Sequence, residues 1–465
     1  MGGFFGTISK SECINDLYYG TDYHSHMGTK RGGLCTIDNE NKYIRKIHNI
    51  EKSYFRNKFE NDIKLFKGKM GIGIISDYDS QPLIINSHLG KFSIVTIGKI
   101  VNIKELEIEL LKNHKTFTES SKKINPTELI SMLISEKDSF KNGIKNVFNK
   151  IKGSCSMMLL TKNGIIIARD KLGRTPIVLG KRDDDYAIAS ETCSFPNLGY
   201  DIYKYIGPGE IGIIDSNGYK QLKKPGKKMQ LCSFLWVYYG FPNSNYENIN
   251  VELCRYKCGK KIAENDDTKC DFVADVPDSG VAHAIGYSNK KQIPYRRPYI
   301  KYSPTWSRSF MPQKQFTRDI IANKKLIPNK DIIKNKKIVF CDDSIVRGTQ
   351  LRDNIKYLHK YGIKEVHIRL ACPPLIFPCK FLNFSISHSS IDLAARRIIK
   401  EMNDDNNLND YIDSNSDKYI EMINRIKENM NVTSLKFQNL DDLVDAIGLP
   451  KEKLCTHCWD NSSYF

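Results

Sequence analysis

Several features of exported and membrane proteins are missing from this sequence of 465 residues. No apolar run approaches the roughly 20 residues that a membrane-spanning helix needs. The opening residues lack the basic segment of a secretory signal, and Gly6 stands where a myristoylation pattern requires Ser or Thr. We therefore expect a cytoplasmic protein without membrane attachment.

The chain also lacks an even set of cysteines and any dense basic block. An odd count of 13 cysteines argues against a disulfide framework in a cytoplasmic protein. The net charge is +18, but the basic residues are scattered and not interleaved with aromatic ones. This pattern does not favour nucleic-acid binding, whereas a positive field does suit a small polyanionic substrate.

Two different patterns of secondary structure divide the chain. Short strand-like runs separated by Gly and Asp turns dominate up to about residue 220, which predicts an α+β domain with antiparallel sheets. After about residue 230, apolar strands alternate with helical runs, which predicts an α/β domain with a parallel sheet. The predicted domains cover residues 1–228 and 229–465.

One stretch of the second half has the succession of elements that is typical of a site for a sugar phosphate: a strand, an acidic pair, a short loop and a helix. An apolar run at 338–341, typical of a strand buried on both faces, ends in Asp342 and Asp343. A short loop containing Gly348 then leads into a helical pattern at 351–359. Backbone N–H groups of such a loop and helix stabilise an anion, and paired carboxylates suit vicinal hydroxyls or hydrated Mg²⁺. The alternative is a solvated Asp-Asp turn. The candidate ligand-binding residues are Asp342, Asp343, Ser344, Arg347, Gly348 and Thr349.

This stretch resembles the phosphoribosyl-pyrophosphate (PRPP) motif of type I phosphoribosyltransferases. Its form, Asp-Asp-Ser-Ile-Val-Arg-Gly-Thr, is similar to that of the glutamine-dependent amidophosphoribosyltransferase family. The resemblance implies that the acidic pair holds the ribose hydroxyls and the loop holds the 5-phosphate. Gln350 departs from the family, which usually has Thr or Ser there. A hydrogen bond to a charged group contributes roughly 1.5–3 kcal/mol, so we expect weakened PRPP binding.

Two further segments complete the expected PRPP site. Asp278, Ser279 and Gly280 follow the strand at 272–276, and the helix that Gly280 opens can meet an anion. The alternative is an ordinary capped helix start. The resemblance implies that this segment is the pyrophosphate loop. It also implies that Arg308 and Lys325 belong to a flap whose cations neutralise the leaving pyrophosphate.

The first half carries the resemblance as well, at residues 167–176, 189–193 and 208–210. In the family, this half is a glutaminase of the N-terminal-nucleophile hydrolase fold, and its N-terminal Cys attacks the glutamine amide. Here Gly2 takes the Cys place, so no nucleophile is present. Removing a nucleophile alone can cost about 10⁶-fold in rate.

Other polar groups that the resemblance implies for the glutaminase site are also replaced. Ser76 stands at the Arg that grips the glutamine carboxylate, and Ile97 stands in the oxyanion hole. Asn125 lies near the expected Asp, and Met27 replaces an Arg. We therefore expect no glutamine hydrolysis. The remaining shell serves either as structural support or as a site for another ligand or partner.

Four cysteines form a potential metal-ligand set. Cys455 and Cys458 make a Cys-x-x-Cys pair, while Cys379 and Cys232 lie far away in the sequence. Two close and two distant thiolates suit an iron–sulfur or a zinc site, and a redox pair or plain buried thiols are the alternatives. The resemblance implies that all four hold a structural 4Fe–4S cluster.

These observations lead to two hypotheses. The first is an amidophosphoribosyltransferase-like enzyme with Mg²⁺ and a 4Fe–4S cluster, which joins PRPP to ammonia or another amine and has lost its glutaminase. The second is a catalytically inactive regulatory homologue that binds PRPP or nucleotides. The resemblance further implies purine nucleotides as ligands and a homo-oligomer.

Overall fold

The computed structural model describes residues 2–77, 79–118, 123–302, 326–382, 390–404 and 408–464. Within these ranges, no helix is long and apolar enough to cross a membrane. Antiparallel sheets fill the first half and a parallel sheet lies in the second, so the predicted order of fold classes is confirmed.

The first half is built from thirteen strands and six short helices within the described residues. The strands are β1 (Gly3–Ile8), β2 (Arg31–Ile37), β3 (Tyr43–Asn49), β4 (Met70–Ser76), β5 (Leu83–Ser87), β6 (Gly90–Ile100), β7 (Gly153–Thr161), β8 (Gly164–Ala168), β9 (Val178–Arg182), β10 (Asp185–Ala189), β11 (Asp201–Tyr205), β12 (Ile211–Asp215) and β13 (Gly218–Lys223). The helices are α1 (Ile14–Asp22), α2 (Phe55–Phe59), α3 (Ile103–Lys112), α4 (Pro126–Ile134), α5 (Phe140–Lys150) and α6 (Phe195–Leu198).

These strands form two stacked sheets covered by helices on both outer faces. The sheet orders are β11-β9-β10-β1-β4-β2-β3 and β13-β12-β8-β7-β6-β5. Because successive side chains of a strand point to opposite faces, Phe4 packs between the sheets while Phe5 packs outward against α1 and α2. Helices α3, α4 and α5 cover the outer face of the second sheet. The first half is therefore a four-layer sandwich of helix, sheet, sheet and helix.

The second half contains ten strands and eight α-helices within the described residues. The strands are β14 (Leu231–Cys232), β15 (Asn245–Tyr246), β16 (Ile249–Asn250), β17 (Phe272–Asp275), β18 (Tyr299–Lys301), β19 (Leu326–Pro328), β20 (Lys337–Asp342), β21 (Glu365–Leu370), β22 (Ser434–Phe437) and β23 (Leu454–Cys455). The helices are α7 (Val251–Glu264), α8 (Val281–Lys291), α9 (Lys330–Ile333), α10 (Thr349–Lys360), α11 (Ala394–Glu401), α12 (Asp417–Met430), α13 (Leu440–Ile447) and α14 (His457–Asp460).

The central sheet of the second half is buried on both faces. Its order is β17-β20-β21-β22, and every pair is parallel. Val339 belongs to the core that includes α7 and α8, whereas Ile338 and Phe340 belong to the core that includes α10 and α12. This two-sided burial explains why β20 is an uninterrupted apolar run in the sequence.

Two glycines allow the elements behind the phosphate–sugar stretch to approach closely. A Cβ on Gly259 would lie 1.9 Å from the His283 carbonyl oxygen, so α7 and α8 cross with almost no space between their backbones. At the start of α8, a Cβ on Gly280 would lie 2.1 Å from the Cys341 carbonyl oxygen. Only glycine permits this approach, which brings the loop before α8 against the end of β20.

Buried polar contacts join the two halves. The Tyr246 hydroxyl donates to Glu191 at 2.6 Å, and Arg169 contacts the Glu247 carboxylate at 2.7 Å. The predicted domain boundary at residues 228 and 229 falls between β13 and β14 and stays a prediction.

We predict that Gly280→Ala destabilises the fold, because the new methyl group meets a backbone oxygen that is fixed in the sheet. The expected loss is about 3 kcal/mol of unfolding free energy, at the upper end for overpacking. Urea unfolding measures it. Gly226→Ala is the matched control, since a Cβ there meets nothing closer than 3.6 Å. Equal stability of the two variants would contradict the close approach.

Candidate functional site

The acidic pair lies at the carboxyl edge of the parallel sheet. Asp342 ends β20 and Asp343 follows, and both side chains are buried, with exposures of 8% and 5%. One Asp342 carboxylate oxygen accepts hydrogen bonds from the Ser279 hydroxyl at 2.8 Å and from the Asp343 N–H at 2.9 Å. The Ser344 hydroxyl donates to Asp343 at 2.6 Å. The structure therefore brings together the two predicted ligand loops, 278–280 and 342–349.

The electrostatics of this edge favour a cation. Burial raises the pKa of Asp343 to about 6, and burial together with the neighbouring Asp343 charge raises the pKa of Asp342 well above its usual value. Arg255 opposes part of this effect on Asp343. Arg255 is itself buried and donates to the carbonyl oxygens of Trp236 and Gly240, each at 2.9 Å. The carboxylates at this edge thus carry more negative charge, when ionised, than the nearby cationic side chain compensates.

Asp275 is a third carboxyl group at the same edge, and the sequence reasoning did not identify it. It ends β17 and pairs in register with Cys341, next to Asp342. One oxygen accepts from the Tyr295 hydroxyl at 2.7 Å, while the other is buried and has no hydrogen-bond donor in the described ranges. The sequence did contain a signal for Asp275, because β17, like β20, is an apolar strand that ends in Asp. Arg255 had no such signal, since its position depends on tertiary packing alone.

The loop after the acidic pair is shaped for an anion. Gly348 has a φ of +74° and is the N-cap of α10, which begins at Thr349. The loop residues from 346 to 350 are only half-buried. The Arg347 guanidinium lies 3.6 Å from the Asp392 carboxylate, so part of its charge is compensated by that carboxylate and is not available to an anion at the loop. Because a helix N-terminus stabilises an anion, the start of α10 and Gly348 are better suited to that role than Arg347.

The remaining predicted PRPP ligands are those of the expected pyrophosphate loop and of the expected flap. Asp278 pairs with Lys301 at the start of the loop before α8, and Gly280 is the N-cap of that helix. Arg308 and Lys325 lie outside the described residues.

A metal ion at this edge needs ligands from outside the protein. No group of three or more His, Cys, Asp or Glu side chains in the described part of the chain can hold a metal ion. Mg²⁺ is commonly held by one or two carboxylates together with water and substrate phosphates. The acidic pair fits that mode, because its raised pKa values indicate carboxylates without enough compensating charge.

The place of the expected amidase nucleophile is narrow and apolar. A Cβ on Gly2 would lie 2.9 Å from the Ile75 carbonyl oxygen and 3.2 Å from a methyl carbon of Ile97. A Cβ on Gly3 would meet the Met27 sulfur at 2.7 Å. Ile97 and Met27 are both buried, so two apolar side chains now surround the start of β1.

Two of the polar residues that the resemblance places at the glutaminase site have structural partners. Asn125 caps α4 by accepting from the Thr127 N–H, and its amide donates to the Ser80 carbonyl oxygen at 3.1 Å. The Ser76 hydroxyl accepts from the Asp79 N–H at 3.3 Å. These contacts stabilise the shell and do not point to bond cleavage.

All four predicted ligand cysteines come together. Strands β14 and β23 pair in parallel and place Cys232 opposite Cys455, and these two residues line one cavity with Cys379 and Cys458. The Leu382 N–H donates to the Cys379 sulfur at 3.3 Å. A hydrogen bond with Cys458 lowers the pKa of Cys379 to about 6, despite the opposing effect of burial. The same hydrogen bond raises the pKa of Cys458, so the pair holds one acidified thiol and one that keeps its proton.

Cysteine thiols that line one cavity are chemically suited to an iron–sulfur cluster or to zinc, and the resemblance of the sequence motifs implies the cluster.

Known proteins resemble the chain over nearly its whole length. The model of the glutamine amidotransferase domain matches residues 69–197. Amidophosphoribosyltransferase of Bacillus subtilis (strain 168) is 30% identical over 412 residues, which cover 86% of this chain and 85% of that protein. Amidophosphoribosyltransferase of Methanocaldococcus jannaschii is 30% identical over 485 residues, covering 98% of this chain and 96% of that protein.

Solved structures agree with these relatives. A glutamine phosphoribosylpyrophosphate amidotransferase from B. subtilis, complexed with ADP and GMP, has a TM-score of 0.84 at 27% identity, over 99% of this chain and 96% of that one. A structure of an allosteric regulatory enzyme of purine biosynthesis has a TM-score of 0.82 at 27% identity, over 99% and 95% of the two chains.

These likenesses confirm the predicted fold class, an N-terminal-nucleophile hydrolase-like domain followed by a type I phosphoribosyltransferase domain. The resemblance that the sequence motifs indicated is confirmed with it. The chain belongs to the amidophosphoribosyltransferase family.

Proposed function

We propose that this protein transfers ammonia or another small amine to PRPP and produces a phosphoribosylamine and pyrophosphate. The observation that carries the proposal is the buried acidic pair beside the α10 N-terminus, hydrogen-bonded to the loop before α8. Carboxylates for hydroxyls and a helix N-terminus for phosphate are the two elements that a phosphoribosyl donor requires. Relatives named amidophosphoribosyltransferase support the same activity.

The reaction needs position and charge more than covalent help. The nitrogen lone pair forms the C1–N bond while the C1–O bond to pyrophosphate breaks, and a nitrogen proton leaves to solvent. When bound, Mg²⁺ neutralises the leaving pyrophosphate. Asp342 and Asp343 hold Mg²⁺ and the ribose hydroxyls in this proposal. The other proposed PRPP ligands are Ser344, Arg347, Gly348 and Thr349 for the 5-phosphate, and Asp278, Ser279, Gly280, Arg308 and Lys325 for the pyrophosphate.

In this proposal the first half does not hydrolyse glutamine. Gly2 supplies no nucleophile, and the Ile97 side chain occupies the space beside it. Met27 adds a second apolar side chain where an amide substrate would need polar contacts. The nitrogen donor is therefore free ammonia or an amine.

The cofactors in this proposal are Mg²⁺ and a structural 4Fe–4S cluster held by Cys232, Cys379, Cys455 and Cys458. The cavity that these cysteines line supports the cluster. The protein acts in the cytoplasm, in purine biosynthesis, as a homo-oligomer. Purine nucleotides are its proposed regulatory ligands, since ADP and GMP are bound in the B. subtilis structure.

A regulatory homologue that binds PRPP or nucleotides without turnover is the second candidate. Gln350 favours it, because this longer side chain stands where the family motif usually has a hydroxyl. Binding without pyrophosphate release would support this candidate against the first.

We expect purified protein with Mg²⁺, PRPP and ammonium to release pyrophosphate, and glutamine as sole nitrogen donor to give no more than the background rate. Asp342→Asn should lower the ammonium-dependent rate by at least about 100-fold, since it removes charge that positions the donor. Asp353→Asn, a more exposed carboxyl in α10, is the matched control and should keep the rate. Glutamine-supported turnover would refute the loss of the glutaminase.

We also expect Gly2→Cys to release no glutamate from glutamine. The new side chain would clash with the Ile75 carbonyl oxygen and the Ile97 methyl group, and the apolar shell would remain. A coupled glutamate assay measures the outcome, with Gly2→Ala as the control, because alanine adds the Cβ without a nucleophile. Glutamate release well above that of Gly2→Ala would show that the shell is still competent.

The buried acidic pair should cost stability. The raised pKa of Asp343 means that folding buries a carboxylate at pH 8, a penalty that is complete above about pH 6 and fades as the pH falls towards the ordinary value of 3.8. Asp343→Asn should therefore raise the unfolding free energy at pH 8 by up to about 3 kcal/mol, and the gain should shrink to about half at pH 5. Urea unfolding at both pH values, without Mg²⁺ or PRPP, measures it. A variant less stable than the parent at pH 8 would contradict this electrostatic account.

A further inference from the structure

The cavity lined by the four cysteines is completed by residues from the other half of the chain. Cys232, Cys379, Cys455 and Cys458 all belong to the second half, but Arg174 of the first half lines the same cavity. Lys99, also from the first half, donates to the Cys379 carbonyl oxygen at 2.9 Å. Two cationic side chains of the first half (residues 1–228, the amidase-like half) therefore lie at a thiol-lined site of the second half (residues 229–465, the transferase half).

Arg174 has the burial of a core residue and no anionic side chain to pair with. Its exposure is 1%, and the partners of its guanidinium among the described residues are an amide oxygen, a carbonyl oxygen, an aromatic ring and the Cys455 side chain, with no carboxylate. One terminal nitrogen donates to the neutral acceptors Gln230 Oε1, at 2.5 Å, and the Tyr464 carbonyl oxygen. A buried guanidinium without a counter-ion is costly, because desolvation of the charge is not compensated.

A donor of Arg174 also lacks an acceptor. Its Nε–H is buried and has no hydrogen-bond partner in the described part of the chain. Buried polar atoms are almost always paired, so an unpaired donor beside a cavity indicates an acceptor that occupies the cavity. Arg174 also makes a hydrogen bond with the Cys455 side chain. The guanidinium is thus directed at the cysteine side of the cavity, where an electron-rich occupant would accept from the unpaired Nε–H.

Packing alone does not explain this arginine. The guanidinium stacks on the Phe381 ring with its central carbon 3.7 Å from the ring centroid, and such a contact is favourable. A methionine side chain would make a similar apolar contact without a buried charge. The charge and the unpaired donor are the features that need a partner.

We infer that Arg174 is the counter-cation and hydrogen-bond donor of the iron–sulfur cluster, supplied by the amidase-like half to the four cysteines of the transferase half. The inference rests on the proposed function only in taking the cluster as the occupant. Four thiolates make a 4Fe–4S site negative overall, so a buried cation stabilises it, and the more so in its reduced state. The amidase-like half then has a chemical task that does not require glutamine.

The test compares cluster reduction potentials in anaerobically purified full-length protein. Arg174→Met keeps the stacking volume and removes the charge, so its cluster should be harder to reduce. We expect the reduction equilibrium constant to fall at least about tenfold, which is about 59 mV for one electron. Arg174→Lys keeps the positive charge, so it should change the reduction equilibrium constant less than Arg174→Met does. Arg182→Met is the matched control, because Arg182 also stacks on an aromatic ring, Tyr200, but does not line the cavity.

A second variant covers the case in which Arg174→Met does not fold. Gln230→Glu has nearly the same shape and places a carboxylate against the Arg174 guanidinium, so it should also make the cluster harder to reduce. Unchanged potentials in both variants, with a full cluster in the parent, would overturn the role of Arg174 and leave the proposed function intact. Absence of iron and sulfide from the parent would overturn the cluster and this inference together, whereas ammonium-dependent pyrophosphate release would be unaffected.

Discussion

The structure of the second half depends on keeping like charges close together at one edge of a buried sheet. Asp342 and Asp343 lie where water is scarce, and burial makes their ionised forms unfavourable. Hydrogen bonds from Ser279 and Ser344 hold them in place, and Arg255 compensates part of their charge. Two buried carboxylates side by side destabilise the fold. They are suited to binding a cation together with a polyhydroxylated ligand, because the cation supplies the missing positive charge and the hydroxyls supply hydrogen-bond donors.

The rest of the second half serves this edge. Gly280 lets the loop before α8 approach the end of β20 at backbone distance, and Gly348, with its positive φ, caps the N-terminus of α10 five residues after the acidic pair. The first half has the opposite character. Its frame is retained, but Ile97 and Met27 fill the place of the expected nucleophile. The contacts between the halves are nevertheless polar and buried, as in the hydrogen bond that the Tyr246 hydroxyl donates to Glu191.

The sequence predicted the parts of the site that depend on local order. A buried strand, a carboxylate at its end, a glycine and a helix follow one another in the chain, so β20 and α10 could be placed without tertiary information. Asp275 follows the same rule and could have been identified. Arg255 and Arg174 could not, because each acts through contacts with residues far away in sequence. Spacing alone left the four cysteines open between several chemistries. The parallel pairing of Cys232 with Cys455, and the N–H groups of residues 376 and 377 that donate to the Cys458 carbonyl oxygen, bring the distant cysteines together.

The most direct test of the account is calorimetric titration of the protein with PRPP and Mg²⁺ at pH 6 and pH 8, in buffers of different ionisation enthalpy. If the acidic pair binds the donor in its ionised form, binding should release protons at pH 6 and fewer at pH 8, since Asp343 has a pKa of about 6 before binding. The absence of binding, or binding that takes up protons at pH 6, would contradict the claim that these two aspartates hold the activated sugar phosphate.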